Sequence, residues 1–214
     1  TKFAIESMID ELAHAANMDP LQYRLAHTDD GRARRVLETV AQMSNWGSKP
    51  AAGRARGIAF AEYGVLAPKV GSLVAAVAEI SVDRKSGRIR VHNYWAAADA
   101  GLAINPPAIM AQMESAIVWG LSCALKERVT MVNGVVQQSN FHQYELLRMA
   151  EVPEIKVELI RGAAPIPSMV GELGVPCTGP AVASAFFALT GKRLYHMPFT
   201  PQRVLAALKG GMQV

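Results

Sequence analysis

LVAAVAEISVDRKSGRIRVHNYWAA, residues 73–97, decides the fold. Leu73–Val82 and Arg88–Ala97 are extended apolar runs, and in the second Ile89 and Val91 alternate with Arg88, Arg90 and His92. Such alternation marks a strand with one face buried. Between the runs, Asp83-Arg84-Lys85-Ser86-Gly87 is a charged turn ending in glycine, so the stretch predicts a β-hairpin.

Toward the N-terminus, a short apolar strand is expected at Gly57–Gly64. Before it, Trp46–Gly57 is a basic connector rich in Gly, Pro and Ala, and the best boundary candidate. Three helices precede the connector. The first covers residues 3–17, with Phe3, Met8, Ile9, Leu12, Ala13 and Ala16 at helical spacing and Glu6, Asp10 and Glu11 among the polar positions. Asp19-Pro20 opens the second, Asp as N-cap and Pro at the first helical position. The third covers residues 32–45, with Val36, Leu37, Val40 and Met43 on one side.

Toward the C-terminus, a Gly/Asn/Pro-rich loop at Asp99–Pro107 leads to a long helix from Ala108 to Leu125. Asn133-Gly134 joins two short strands, a type I′ turn signal. A strand is expected at Ile155–Ile160, a Pro/Gly-rich loop over 161–178, and helices at Pro180–Thr190 and Gln202–Leu208. The fold class is α+β, with helices first and antiparallel hairpins packed against helices afterwards. The expected division is an N-terminal helical segment, 1–50, and an α+β unit, 51–214.

The 214 residues are 50% hydrophobic and 19% charged, the balance of a chain that buries a core. A net charge of +4, spread along the chain, gives little support for a nucleic-acid partner and none for a polybasic anchor. No apolar run is expected to reach the ~20 residues that span a bilayer. Cys123 and Cys177 are too few for a disulfide framework or a four-cysteine zinc site, though not for a single bridge. His14, His27, His92, His142 and His196 have no ligand spacing, and no metal-ligand set is expected. Phosphate-loop, zinc-protease and nucleophile-elbow motifs are absent.

Two loops carry candidate chemistry. Ser168–Pro176 sets Glu172 between Gly171 and Gly174 amid apolar neighbours. Glycine permits close approach of a ligand to the backbone, and an apolar setting raises a carboxyl toward general-base use. The same pattern also suits a loop carboxylate that bonds backbone amides near the following helix. In the second loop, Asn105-Pro106 starts a helix in which Gln112 carries both donor and acceptor groups. A ligand could meet that helix start, or Gln112 could simply face solvent. Cys177 reads as a reactive thiol or as a small buried hydrophobe.

In order along the chain stand Ala4-Ile5-Glu6-Ser7, Asp10–Ala13, Asp19-Pro20-Leu21, Val82-Asp83, Gly87-Arg88-Ile89, Asp99-x-Gly101, Asn105-Pro106, Gln112-x-Glu114, Asn140-Phe141, Tyr144, Pro153, Gly171-Glu172, Pro180-Ala181 and Pro198-x-Thr200-Pro201. This succession resembles the C-terminal part of the molybdopterin-binding subunit of the xanthine dehydrogenase/aldehyde oxidase family, nearest to its isoquinoline 1-oxidoreductase-type bacterial members. The resemblance implies a molybdenum hydroxylase that oxidises an N-heterocycle or aldehyde with water as oxygen source. It implies that Glu172 is the general base and that Gln112 and Gly171 contact a molybdenum–molybdopterin cofactor, in the cytosine dinucleotide form. No side chain of the family ligates the metal directly. Implied partners are the remaining N-terminal part of the molybdopterin-carrying polypeptide, a [2Fe-2S] small subunit and a small aromatic heterocycle or aldehyde, with no nucleic acid. The chain departs from the family pattern at Ala111 and Ser115, where glycine is frequent, and at Cys177. Beginning at Thr1 without Met, it is expected to be a fragment, inactive alone. The competing expectation is a structural or assembly module without chemistry. A free-standing domain that binds small heterocycles ranks last.

Overall fold

The predicted hairpin is the centre of the sheet. In the computed structural model, which describes residues 1–63, 71–161 and 165–211, β2 (Ser72–Val82) and β3 (Ile89–Asp99) pair antiparallel around the Asp83–Gly87 turn. The Asp83 carboxylate accepts the Lys85 amide at 2.9 Å, and Gly87 takes the positive φ of 77° that closes the turn. β1 (Arg54–Tyr63) adds antiparallel to the other edge of β2. It begins inside the expected connector, and the expected end at Gly64 lies outside the described residues. β6 (Glu154–Leu159) lies parallel to β3, so the sheet is mixed rather than wholly built of hairpins. The intervening chain contains the helix α4 (Pro106–Leu125), and a parallel return needs a crossover of that length.

Among the described residues the strand order is β1-β2-β3-β6, with a separate ribbon of β4 (Met131–Val132) and β5 (Val135–Val136). The ribbon turns at Asn133 and Gly134 with φ of 49° and 80°, as the Asn-Gly signal requires.

The sheet is covered on both faces, which is why β2 is apolar almost throughout. Leu73, Ala75 and Val77 pack with Val36, Leu37 and Val40 of α3 (Gly31–Met43) and Leu21 of α2 (Pro20–Ala26). Val74, Ala76, Ala78 and Ile80 pack with α4, α5 (Thr178–Thr190) and α6 (Pro201–Lys209). Small residues bring these layers close. A Cβ on Gly57 of β1 would lie 2.1 Å from the Ala185 amide of α5, so only glycine fits. Asp19 caps α2 by accepting the Leu21 amide at 2.9 Å, as its sequence position predicts.

One expectation is corrected. It concerns α1 (Lys2–Ala15), which turns polar residues inward beside Ala13 and leaves Met8 and Leu12 outside. Glu6, Ser7, Asp10 and Ala13 are buried, while Ile5, Met8 and Leu12 are exposed. Arg24 and Arg193 supply the counter-charges that make this burial tolerable. The 20-residue α4, with a mean hydropathy of 1.4, is long and apolar enough to cross a membrane by length and composition only. One face of it packs into the core, with Met113, Ile117, Leu121 and Ala124 buried.

Candidate functional site

The ends of β1, β2 and β3 meet at one edge of the molecule. Tyr63 closes β1 opposite Ser72, and Leu73 lies opposite Asp99 at the end of β3. Asp99 is fully buried and ion-paired to Arg32 of α3 at 2.8 Å. Its other oxygen accepts the Gly101 amide at 2.8 Å, and Arg32 also reaches the Gly71 carbonyl at 2.9 Å. The hydrogen bond to Asp99 holds the Arg32 guanidinium above its ordinary value.

This anchored turn fastens the two candidate loops to each other. Leu102 donates its amide to Ile166 at 3.0 Å, and Ser168 donates to Ala100 at 2.9 Å. Beyond the turn, the Asn105 side chain caps α4 by accepting the Ala108 amide at 3.3 Å. Farther along the helix, Gln112 donates its Nε2 to the Gly171 carbonyl at 2.6 Å. Gln112, Gly171 and Glu172, expected to share a site, are therefore brought together. Leu173 is buried in the core, and a Cβ on Gly174 would lie 2.9 Å from the Met113 carbonyl, so the loop lies flush on α4. Glu172 stands outward just before these buried residues, and nothing lies within 4 Å of where a Gly171 Cβ would be.

Two side chains that sequence reasoning missed complete the edge. Ser72 Oγ donates to the Met169 carbonyl at 2.5 Å, and the Tyr63 hydroxyl donates to Glu172 Oε2 at 3.1 Å. The bond to Glu172 raises the Tyr63 phenol above its ordinary value, with the charge of the carboxylate adding to the effect. Neither residue carries a motif, and the pairing register alone puts them beside the loop.

Glu172 is exposed, so the apolar enclosure expected of its neighbours is not present. Its carboxylate partner is a phenol rather than the backbone amides of an ordinary loop carboxylate. Cys177 is fully buried, and burial pushes its thiol well up, which fits the small-hydrophobe alternative. Both cysteines are free thiols. Ala111 and Ser115 line a cavity of about 720 Å³ with Glu114 and Trp119, on the side of α4 toward Val152 and Ile155. A second cavity, of about 690 Å³, lies between Arg88, Arg90, Lys126 and Arg128. Neither is lined by Glu172. Among the described residues, no group of three His, Cys, Asp or Glu side chains stands ready to hold a metal ion. The edge thus presents an outward carboxylate, a neighbouring carboxamide and a stretch of bare backbone, a wall able to take up a proton and to bond a polar ligand.

Residues 2–153 match the family described as molybdopterin cofactor-binding domain. The chain is 40% identical, over 212 residues, to the beta subunit of isoquinoline 1-oxidoreductase from Brevundimonas diminuta, covering 97% of this chain and 26% of that protein. It is 36% identical to a nicotinate dehydrogenase subunit of Pseudomonas putida, covering 97% of this chain and 18% of that protein. The chain therefore spans about a quarter or less of the length of these curated relatives. The aldehyde oxidoreductase structure from Desulfovibrio desulfuricans ATCC 27774 superposes with a TM-score of 0.81 at 14% identity, covering 96% of this chain and 40% of that one, a likeness of fold.

Proposed function

The chain belongs to the molybdopterin cofactor-binding domain family, and on that premise we propose that it forms one wall of a molybdenum hydroxylase active site, with Glu172 as general base. The single observation that carries this reading is the Gln112 bond to the carbonyl of Gly171, which brings the cofactor-side glutamine and the glutamate loop to one edge.

The residues present suit a pterin edge. Gln112 spends one N–H on Gly171 and keeps a second N–H and a carbonyl oxygen for a heterocycle. The open space at Gly171 lets the backbone approach a flat ligand. Gln112 and Gly171 would hold the cofactor, in its cytosine dinucleotide form. When bound, that group supplies the two-electron oxidation and the activation of water-derived oxygen. Glu172 takes up the proton released in the hydroxylation, and its outward position leaves it open to the reacting groups.

An N-heterocycle is the favoured substrate class, since isoquinoline and nicotinate name the activities of two relatives. An aldehyde is the alternative. The rest of the site comes from the remaining part of the molybdopterin-carrying polypeptide, and electrons leave through a [2Fe-2S] subunit. The 214-residue chain alone is expected to retain no molybdenum and turn over no substrate. Stoichiometric molybdenum with oxidase activity in the purified chain would refute that. In the complete enzyme, Glu172→Gln is expected to abolish hydroxylation at unchanged molybdenum content. Undiminished turnover would remove Glu172 from the mechanism.

A second reading, a structural or assembly module, draws on α1, where Ile5, Met8 and Leu12 are 43%, 57% and 46% exposed. An apolar stripe of this kind suits a covering partner. Size-exclusion chromatography is the check, and a clean monomer that binds no partner polypeptide counts against it.

A further inference from the structure

The loop backbone under Glu172 is held from below, by Gln112 at Gly171, Ser72 at Met169, buried Leu173 and the close seat of Gly174 on α4. These contacts fix where the glutamate stands. They leave its side-chain direction free, and an exposed glutamate samples several rotamers. One described side chain removes that freedom.

We propose that Tyr63 is a positioning residue for Glu172, holding one carboxylate oxygen so that the other is presented as the base. The role rests on the reading of Glu172 as general base. Tyr63 is suited to it in three respects. Its ring packs against the core, so the hydroxyl is delivered from a rigid arm with few torsions. Its backbone is locked by pairing with Ser72, so two facing strand ends grip one loop, at Met169 and at Glu172. Its phenol, with an ordinary value of 10.0, is a protonated donor at neutral pH, and the carboxylate raises it further.

The donor divides the labour of the two oxygens. Oε2 accepts the phenol O–H at 3.1 Å. Oε1 keeps its lone pairs for the incoming proton, and one O–H bond forms there as the bond to the departing proton breaks. A carboxylate without the phenol would spread over orientations in which neither oxygen is aimed, and misplacement of a reacting group slows chemistry more than binding.

The first test needs no cofactor. In the 214-residue chain, tyrosine titration followed by NMR of ring-labelled protein, with Tyr63→Phe to assign the signal, reads the bond itself. Glu172→Gln is expected to bring the Tyr63 midpoint down toward the ordinary 10.0. An unchanged midpoint means that the bond is absent, and the inference falls while the assignment of Glu172 stands. In the complete enzyme, Tyr63→Phe is expected to lower kcat about tenfold at unchanged KM and molybdenum content. A parallel loss of molybdenum, or a raised KM at full kcat, makes Tyr63 merely structural and overturns the role. Full turnover of Glu172→Gln removes the base assignment, and the role of Tyr63 goes with it. Because the titration of Glu172→Gln is read with Tyr63 in place, it decides the matter even where Tyr63→Phe folds poorly.

Discussion

Glu6 and Arg24 form a buried pair in which Nε and Nη2 of the guanidinium reach the same oxygen, Oε2, at 3.1 and 3.0 Å. That oxygen also accepts the Phe60 amide at 2.8 Å, which ties α1 and α2 to β1. Removing one partner leaves a charge buried without its counter-ion. Arg24→Met is expected to cost about 3–5 kcal/mol in urea unfolding, and the double variant Glu6→Leu/Arg24→Met much less than the two singles added. Additive losses would show that the two side chains act independently.

Asp99 acts on the site from behind. Its carboxylate is shared between Arg32 and the Gly101 amide, and the turn it holds carries both candidate loops. Asp99→Ala is expected to destabilise the chain by on the order of 3 kcal/mol. It is also expected to speed hydrogen exchange at the Leu102 and Ser168 amides, which bond across the two loops. Protection unchanged at both amides would detach the ion pair from the site.

Acid weakens the fold through Glu79. Burial alone pushes its carboxyl up, but hydrogen bonds from Arg54, Asn93 and Arg56 outweigh burial and hold it below its ordinary 4.5. A depressed carboxyl contributes stability that is complete above the unfolded value and is lost as pH falls through the folded one. Urea midpoints should therefore decline as pH is lowered below 4.5. In Glu79→Gln the midpoint should be lower near neutrality and the decline shallower. Equal slopes in the two proteins would clear Glu79 of the effect.

Two glycines make opposite predictions. A methyl group at Gly57 would lie 2.1 Å from backbone of α5, and neither partner is a flexible side chain. Gly57→Ala is expected to cost about 3 kcal/mol or more in thermal or urea unfolding. Gly171 faces open space, so Gly171→Ala should change the stability of the chain by less than about 0.5 kcal/mol. A large loss at Gly171 would mean that the loop packs more tightly than its open surroundings indicate.

Features encoded by neighbouring residues were legible. Asp19-Pro20 starts a helix, Asp83–Gly87 turns a hairpin and Asn133-Gly134 turns another, because caps and turns are satisfied within a few residues. Gln112 and Glu172 entered as candidates from their own loops, and the order of motifs identified the family. The buried face of α1 was not legible. Its apolar residues suggest one inward face, while Arg24 and Arg193, 18 and 183 residues from their partners, draw Glu6 and Asp10 inward. The direction of β6 was equally hidden, since a strand's own residues do not say which neighbour it joins.

Local chemistry settles the caps, turns, periodicities and motif order of this protein, because each depends on contacts within a few residues along the chain. Only the tertiary structure decides that Gln112 touches Gly171 and that Tyr63 touches Glu172. Those contacts arise from strand register and from the seat of one loop on one helix, and both are set by burial of the whole core. The glutamate belongs to a motif, but the tyrosine that bonds one of its oxygens belongs to none.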